Sequence, residues 1–247
     1  GDNTEITDCR AEGDVVGKKE SDNVGGLVGK GSETLTIKRS HATGKVTGGS
    51  QLGGLIGGSG GTINDCYAEG KVESNSGDGD YVGGLAGQFE GESLPTVEAS
   101  HATGNVSGGK RVGGLIGEMG STTVSNSYAD VNVEGGSQVG GFVGEMTTGG
   151  GEITGSFARG NVSGSGNVGG FVGQAGKYVG LFDAAPGLFS YNPDKIERYD
   201  SFGQCTNGRD TGGGGGYSWG VHFGSAAEED KVFIFDSYAA GMVTGGA

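Results

Sequence analysis

Three histidines, three cysteines and thirty acidic residues are the side chains from which this 247-residue chain would build a metal site or an acid–base pair. His41 and His101 hold the same place in two copies of a phrase, Ser-His-Ala-Thr-Gly, and Tyr67 holds it in the copy between them. Strands stacked about 4.8 Å apart would leave the two imidazoles about 9.6 Å apart, too far to share one ion at bonds near 2 Å. His222 lies in another segment, and without an H-E-x-x-H or Cys-His cluster zinc hydrolase chemistry has no support. The segment Asn75-Ser76-Gly77-Asp78-Gly79-Asp80 sets Asn75, Asp78 and Asp80 around glycines. Such oxygen donors suit Ca²⁺, although the spacing departs from the EF-hand loop. Calcium is therefore the one cofactor to consider, against a plain polar corner. Asn105-Val106-Ser107 and Asn161-Val162-Ser163 are N-x-S sequons, glycan acceptors in an exported chain. The glycine run 212–216 lacks the Lys-Ser/Thr of a phosphate loop, and no two carboxylates stand out as acid and base. The residues read as non-enzymatic.

All of them sit in a repeat. A segment close to V-G-G-[L/F]-[V/I/A]-G starts at Val24, Leu52, Val82, Val112, Val139 and Val168, at steps of 28, 30, 30, 27 and 29 residues, with a worn copy at Trp219–Gly224. A fixed period of this size marks stacked supersecondary units, each unable to bury its apolar face alone. The 60 glycines keep register with that period, which points to a geometric demand rather than disorder. A second signature, [S/C]-[aromatic/H]-A-x-G-x-V, begins at Cys9, Ser40, Cys66, Ser100, Ser127, Ser156 and Ser237. Its alternation of small apolar with polar or aromatic residues is a strand with one face inward. Five residues before each alanine stands a β-former: Ile6, Ile37, Ile63, Val97, Val124, Ile153 and Ile234.

The fold expected is all-β: a thin β-solenoid of about seven to eight coils, roughly 28 residues and up to three short strands each. Regular coils span 1–173, an insertion packing on the solenoid spans 174–199, and degenerate terminal coils span 200–247. With no cap evident in either terminal repeat, the rod is expected to continue, through further repeats or by end-to-end stacking of copies.

Stacking turns equivalent positions into columns. His41, Tyr67, His101, Tyr128, Phe157 and Tyr238 form one, a stabilising ladder or an aromatic strip for sugars or a partner chain. In the glycine segment both strand parities carry apolar residues, as a strand covered on both faces does. Its Val24, Val28, Ile56, Ile116, Val143 and Val172 are accordingly expected at an interface, covered by the insertion or by a neighbouring molecule.

A net charge of −14 excludes nucleic acid and anionic membranes as natural partners, and no apolar stretch is long enough to insert into a bilayer. Cys9 and Cys66, two rungs apart, are too distant for a disulfide, and Cys205 has no evident mate. The cores Gly26-Leu27-Val28-Gly29, Gly54-Leu55-Ile56-Gly57, Gly84-Leu85-Ala86-Gly87, Gly114-Leu115-Ile116-Gly117, Gly141-Phe142-Val143-Gly144 and Gly170-Phe171-Val172-Gly173 resemble the GLUG repeat family. That resemblance implies an extracellular region of a bacterial or archaeal surface protein, structural or adhesive, with no catalytic residues to carry over. The expected function is a cell-surface or filament-forming solenoid that extends, self-associates or adheres, its partners being copies of itself, further repeats or surface glycans. The alternative is a carbohydrate- or ice-binding solenoid using one flat face. The column after each alanine, Glu12, Thr43, Glu69, Thr103, Asp130, Arg159 and Ala240, is too irregular to favour ice.

Overall fold

The protein is described from a computed structural model, which defines residues 4–77, 80–147, 151–176, 178–181, 221–223, 231–235 and 237–245. Among these residues the chain is all strand and turn, wound into a β-solenoid in which every strand pairs parallel with its counterparts one turn away. Each coil carries five short strands. In the third they are Thr62–Asn64, Tyr67–Ala68, Val72–Ser74, Asp80–Gly83 and Ala86–Phe89, and the equivalents in other coils build sheets 1 to 5 in that order. The sheets contain 8, 7, 7, 6 and 7 strands, so six turns are complete and a seventh is partial.

Two expectations are corrected here. A coil has five strands rather than three, because the S-x-A-x-G-x-V phrase breaks at its glycine and the glycine segment folds back on itself at Gly54-Leu55. The count of coils is lower because the chain leaves the regular path after Ala175. Lys231–Phe235, Tyr238–Ala240 and Val243–Gly245 stack on the sixth coil in sheets 1, 2 and 3, and Val221–Phe223 stacks on Val172–Ala175 in sheet 5. Tyr178–Leu181 lies outside Lys231–Phe235, at the edge of sheet 1. The rest of the expected insertion, the remainder of 200–247 and Cys205 fall outside the described residues.

Inward residues form single files. Ile37, Ile63, Val97, Val124, Ile153 and Ile234 run along sheet 1, Ala42, Ala68, Ala102, Ala129, Ala158 and Ala239 along sheet 2, and all are at most 5% exposed. Leu27, Leu55, Leu85 and Leu115 follow one another through main-chain bonds of 2.9 to 3.0 Å, and Phe142 and Phe171 continue the file as stacked rings 4.7 Å apart. Sheets 4 and 5 meet where the glycine segment folds back. A Cβ on Gly53 would lie 1.9 Å from the Ile56 carbonyl oxygen, and one on Gly54 would lie 2.2 Å from Gly84 O and 2.7 Å from the Ala68 Cβ. No side chain fits there.

The same folding-back corrects the interface expectation. Ile56, Ile116, Val143 and Val172 are fully buried, Val24 is 8% exposed, and Val28 is partly buried only because it belongs to the first coil. The layer that covers both faces of the glycine strands is the chain's own adjoining sheets, so these residues are core.

Candidate functional site

His41, Tyr67, His101, Tyr128, Phe157 and Tyr238 project outward from sheet 2 as one column of parallel rings. Successive centroids are 4.4, 5.1, 4.5, 5.0 and 5.3 Å apart, with planes within 10°. Each inner ring thus has both faces taken by its neighbours. Burial between Tyr67 and Tyr128 pushes the His101 imidazole below its ordinary pKa, favouring the neutral form.

Beneath this column runs a relay of hydroxyls. The residue before each Ser or Cys, namely Asp8, Arg39, Asp65, Ala99 and Asn126, has φ between 44° and 54°, a left-handed corner between sheets 1 and 2. After it, the N–H of Cys66 donates to Ser100 Oγ, that of Ser100 to Ser127 Oγ and that of Ser127 to Ser156 Oγ, at 3.1 to 3.2 Å. Each hydroxyl donates in turn to the carbonyl two residues before it, as in Ser127 to Ser125 at 2.8 Å, and Cys66 Sγ does the same to Asn64 at 3.2 Å. Cys66 is buried, its thiol pKa raised by desolvation, and it and Cys9 are free thiols. An asparagine relay parallels this one. Asn132 N–H donates to Asn105 Oδ1 at 3.2 Å, Asn161 N–H to Asn132 Oδ1 at 2.9 Å, and Met242 N–H to Asn161 Oδ1 at 3.1 Å. The sequon residues Asn105 and Asn161 are exposed, but their amide oxygens hold the next coil.

The densest polar cluster was not singled out from sequence. It lies along sheets 4 and 5, where Gln88, Glu118, Glu145 and Gln174 stand one rung apart. Arg111, another left-handed residue with φ 50°, reaches across to it. Its Nε lies 3.0 Å from Glu118 and bonds Glu145, a terminal nitrogen lies 3.6 Å from Asp80, and the guanidinium sits 4.9 Å over the Tyr81 ring. Amides extend the seam both ways. Gln51 donates to Gln88, Gln88 to Glu118 at 3.0 Å, Gln174 to Glu145 at 3.0 Å, and Asn167 to Gln174 at 2.9 Å. Glu118 is 6% exposed, and burial, opposed by the Gln88 hydrogen bond and the Arg111 charge, raises its pKa to about 7. Aligning the residue immediately after each G-[L/F]-x-G core would have revealed the column.

Of the calcium ligands considered, Asp80 faces Arg111 and keeps one buried oxygen, Oδ1, with no hydrogen-bond partner. Asn75 gives its amide to the Gly17 carbonyl at 3.2 Å, and Asp78 lies outside the described residues. Among the described residues no group of three or more His, Cys, Asp or Glu side chains is placed to hold a metal. A polar groove of about 640 Å³ runs past Ser74, Ser107, Lys110, Glu134 and Ser137. On sheet 1, Thr36, Thr62, Thr96 and Thr123 form an outward hydroxyl column, beside a mixed one of Lys38, Asn64, Glu98 and Ser125.

Residues 48–73 match the family model described as the GLUG motif. The chain carries a GLUG motif. In the structure the matched stretch is one whole circuit, from the end of a sheet 3 strand at Gly48 through sheets 4, 5, 1 and 2 to the next sheet 3 strand at Val72. The GLUG motif is therefore a coil, its glycines the fold-back and its alanine the wall of the neighbouring file. No curated protein and no solved structure matches the chain.

Proposed function

We propose that this chain is the structural part of an exported cell-surface protein, a stiff β-solenoid that extends and self-associates or adheres, with no catalysis of its own. The observation that carries the reading is where the outward side chains place their contacts. Rings stack on rings and asparagines hold the next coil's N–H, so these columns bond coil to coil along the rod. The likeness to GLUG repeats supports export to the surface.

Stacking of a further coil, of the same polypeptide or of a copy, is how such a solenoid covers a coil's open side. Ile6, Ala11, Val15, Leu27 and Val28 are only partly buried, while Ile37, Ala42, Val46, Leu55 and Ile56, one turn inward, are at most 1% exposed. Such a rim carries strand edges on which another coil can stack. The partners we propose are copies of this chain or further repeats of the same polypeptide. Negative-stain microscopy and sedimentation of the full chain over a range of concentrations test this: rods that lengthen with concentration support it, and monomers at every concentration overturn self-association.

A second reading, ligand binding by a flat face, finds its best support in the threonine column of sheet 1. The aromatic column suits sugars poorly, since a pyranose stacks on an open ring face and these rings offer edges. A glycan array and a thermal-hysteresis measurement on Thr62→Tyr and Thr96→Tyr variants test this face; binding unchanged by both would exclude it.

A further inference from the structure

We propose that sheet 1 holds a strand-acceptor slot, bounded by Glu152–Thr154 on one side and Tyr178–Leu181 on the other, which takes the 231–245 segment of a second copy of this chain as well as its own. The inference rests on the self-association reading and names the segment that would carry it.

The argument is one of order. In earlier coils the sheet 1 strand follows directly on the sheet 5 strand and lies on its predecessor, as Thr62–Asn64 follows Ile56–Ser59 and lies on Leu35–Lys38. Tyr178–Leu181 follows Val172–Ala175 just as directly, so its sequence place is on Glu152–Thr154. It stands one rung further out, and Lys231–Phe235 fills the gap, paired with both neighbours. Elsewhere the corner relay joins residues 27, 29, 31 or 34 apart in sequence; at this rung Ser156 meets Ser237, 81 residues away. The slot is thus made of chain that precedes its occupant, and the occupant comes later in the sequence by dozens of residues.

The arriving segment carries the sheet 1, 2 and 3 strands of a coil. Ile234 and Ala239 continue the core files at 4% and 5% exposure. Ser237 Oγ accepts the Ser156 N–H at 3.3 Å, Met242 N–H donates to Asn161 Oδ1 at 3.1 Å, and the Tyr238 ring stacks 5.3 Å from Phe157. Each contact is made to coil six, and none depends on which molecule supplies residues 231–245. Exchange between copies needs no new interface, which is the condition for swapping an element.

Thr154 and Phe235 stand directly opposite in register, and Ser163 and Thr244 do so in sheet 3. In a background with Cys9, Cys66 and Cys205 changed to Ser, one tagged full-length copy carries Thr154→Cys and a differently tagged copy Phe235→Cys. The two are refolded together at rising concentration, oxidised and run without reductant; a second pair, Ser163→Cys with Thr244→Cys, guards against one site failing to fold. A chain carrying both cysteines reports the internal link. The expected result is an internal link in the double variant and a covalent heterodimer in the mixture, its share rising with concentration. Internal linking with no heterodimer at any concentration overturns the proposal, and so does absence of the internal link in both pairs. Fibres without heterodimer would leave the self-association reading standing and sink this one; heterodimer without longer assemblies would support this one and confine self-association to closed dimers.

Discussion

Ser127 shows how much one hydroxyl does in this molecule. It accepts the buried Ser100 N–H at 3.1 Å and donates to the Ser125 carbonyl at 2.8 Å, doing at the corner what a strand ladder does elsewhere. Ser127→Ala leaves that N–H unpaired out of water, and denaturant unfolding should show a loss of about 1–3 kcal/mol. Ser127→Cys should cost less, because Cys66 already fills the same place in coil three. Glu118 makes the opposite kind of contribution. Its folded pKa of about 7 lies above the ordinary carboxylate value of 4.5, so the folded state holds a proton that the unfolded chain releases first. The stabilisation tied to that proton is complete below pH 4.5 and is lost as pH rises through about 7. Glu118→Gln should therefore match the parent at pH 4 and exceed it at pH 8, by on the order of 1–3 kcal/mol, in urea titrations at the two pH values. An unchanged or reversed difference would show that the Arg111 charge outweighs burial.

At the scale of elements, the decisive residues are the glycines of the fold-back. A Cβ on Gly84 would lie 2.2 Å from the Gly114 carbonyl oxygen and 2.7 Å from the Ala102 Cβ, main chain and core wall that cannot swing aside. Gly84→Ala should cost more than about 3 kcal/mol or abolish folding. Gly13→Ala, with nothing within 4 Å of its Cβ, should be neutral to slightly stabilising. Thermal melts of the two separate position from composition. Tyr128→Ala removes two ring stacks, with His101 and Phe157, and should lower stability by about 1–3 kcal/mol on stacking alone. Period-two alternation and the fixed repeat made the parallel stack, the inward files and the aromatic column legible from residues alone. What they hid was conformation that no residue type announces. The left-handed residues are not glycine, neither Arg39 and Ala99 at the corner between sheets 1 and 2 nor Gln51, Tyr81 and Arg111 inside the sheet 4 strands, so no residue type announced them. Strands apolar on both faces announced a cover without saying which part of the chain supplies it. The Arg111 seam was hidden for a related reason, since its partners lie a full turn away and converge only once the rungs are aligned.

For the whole molecule, each coil packs mainly on its neighbours, with a few reaches of two coils such as Asn75 to Gly17, so stability is largely a sum of coil and interface terms rather than one global core. Amide exchange should grade accordingly. Leu52, Val82, Val112 and Val139, fully buried in the middle turns, should exchange slowest, and Val15 and Val16 of the first coil, the latter 77% exposed, fastest. Uniform protection from end to end would show a single cooperative unit instead.

Each full turn begins and ends at the same point of the cross-section, and the inner turns meet copies of the same strand pattern on both flat surfaces. Cutting out one turn, or pasting in another, recreates junctions that already exist. Unequal recombination among such gene segments can therefore lengthen or shorten the shaft by about 4.8 Å at a step without an ill-fitting intermediate. Shaft length would then be a trait that selection can adjust in small, reversible increments.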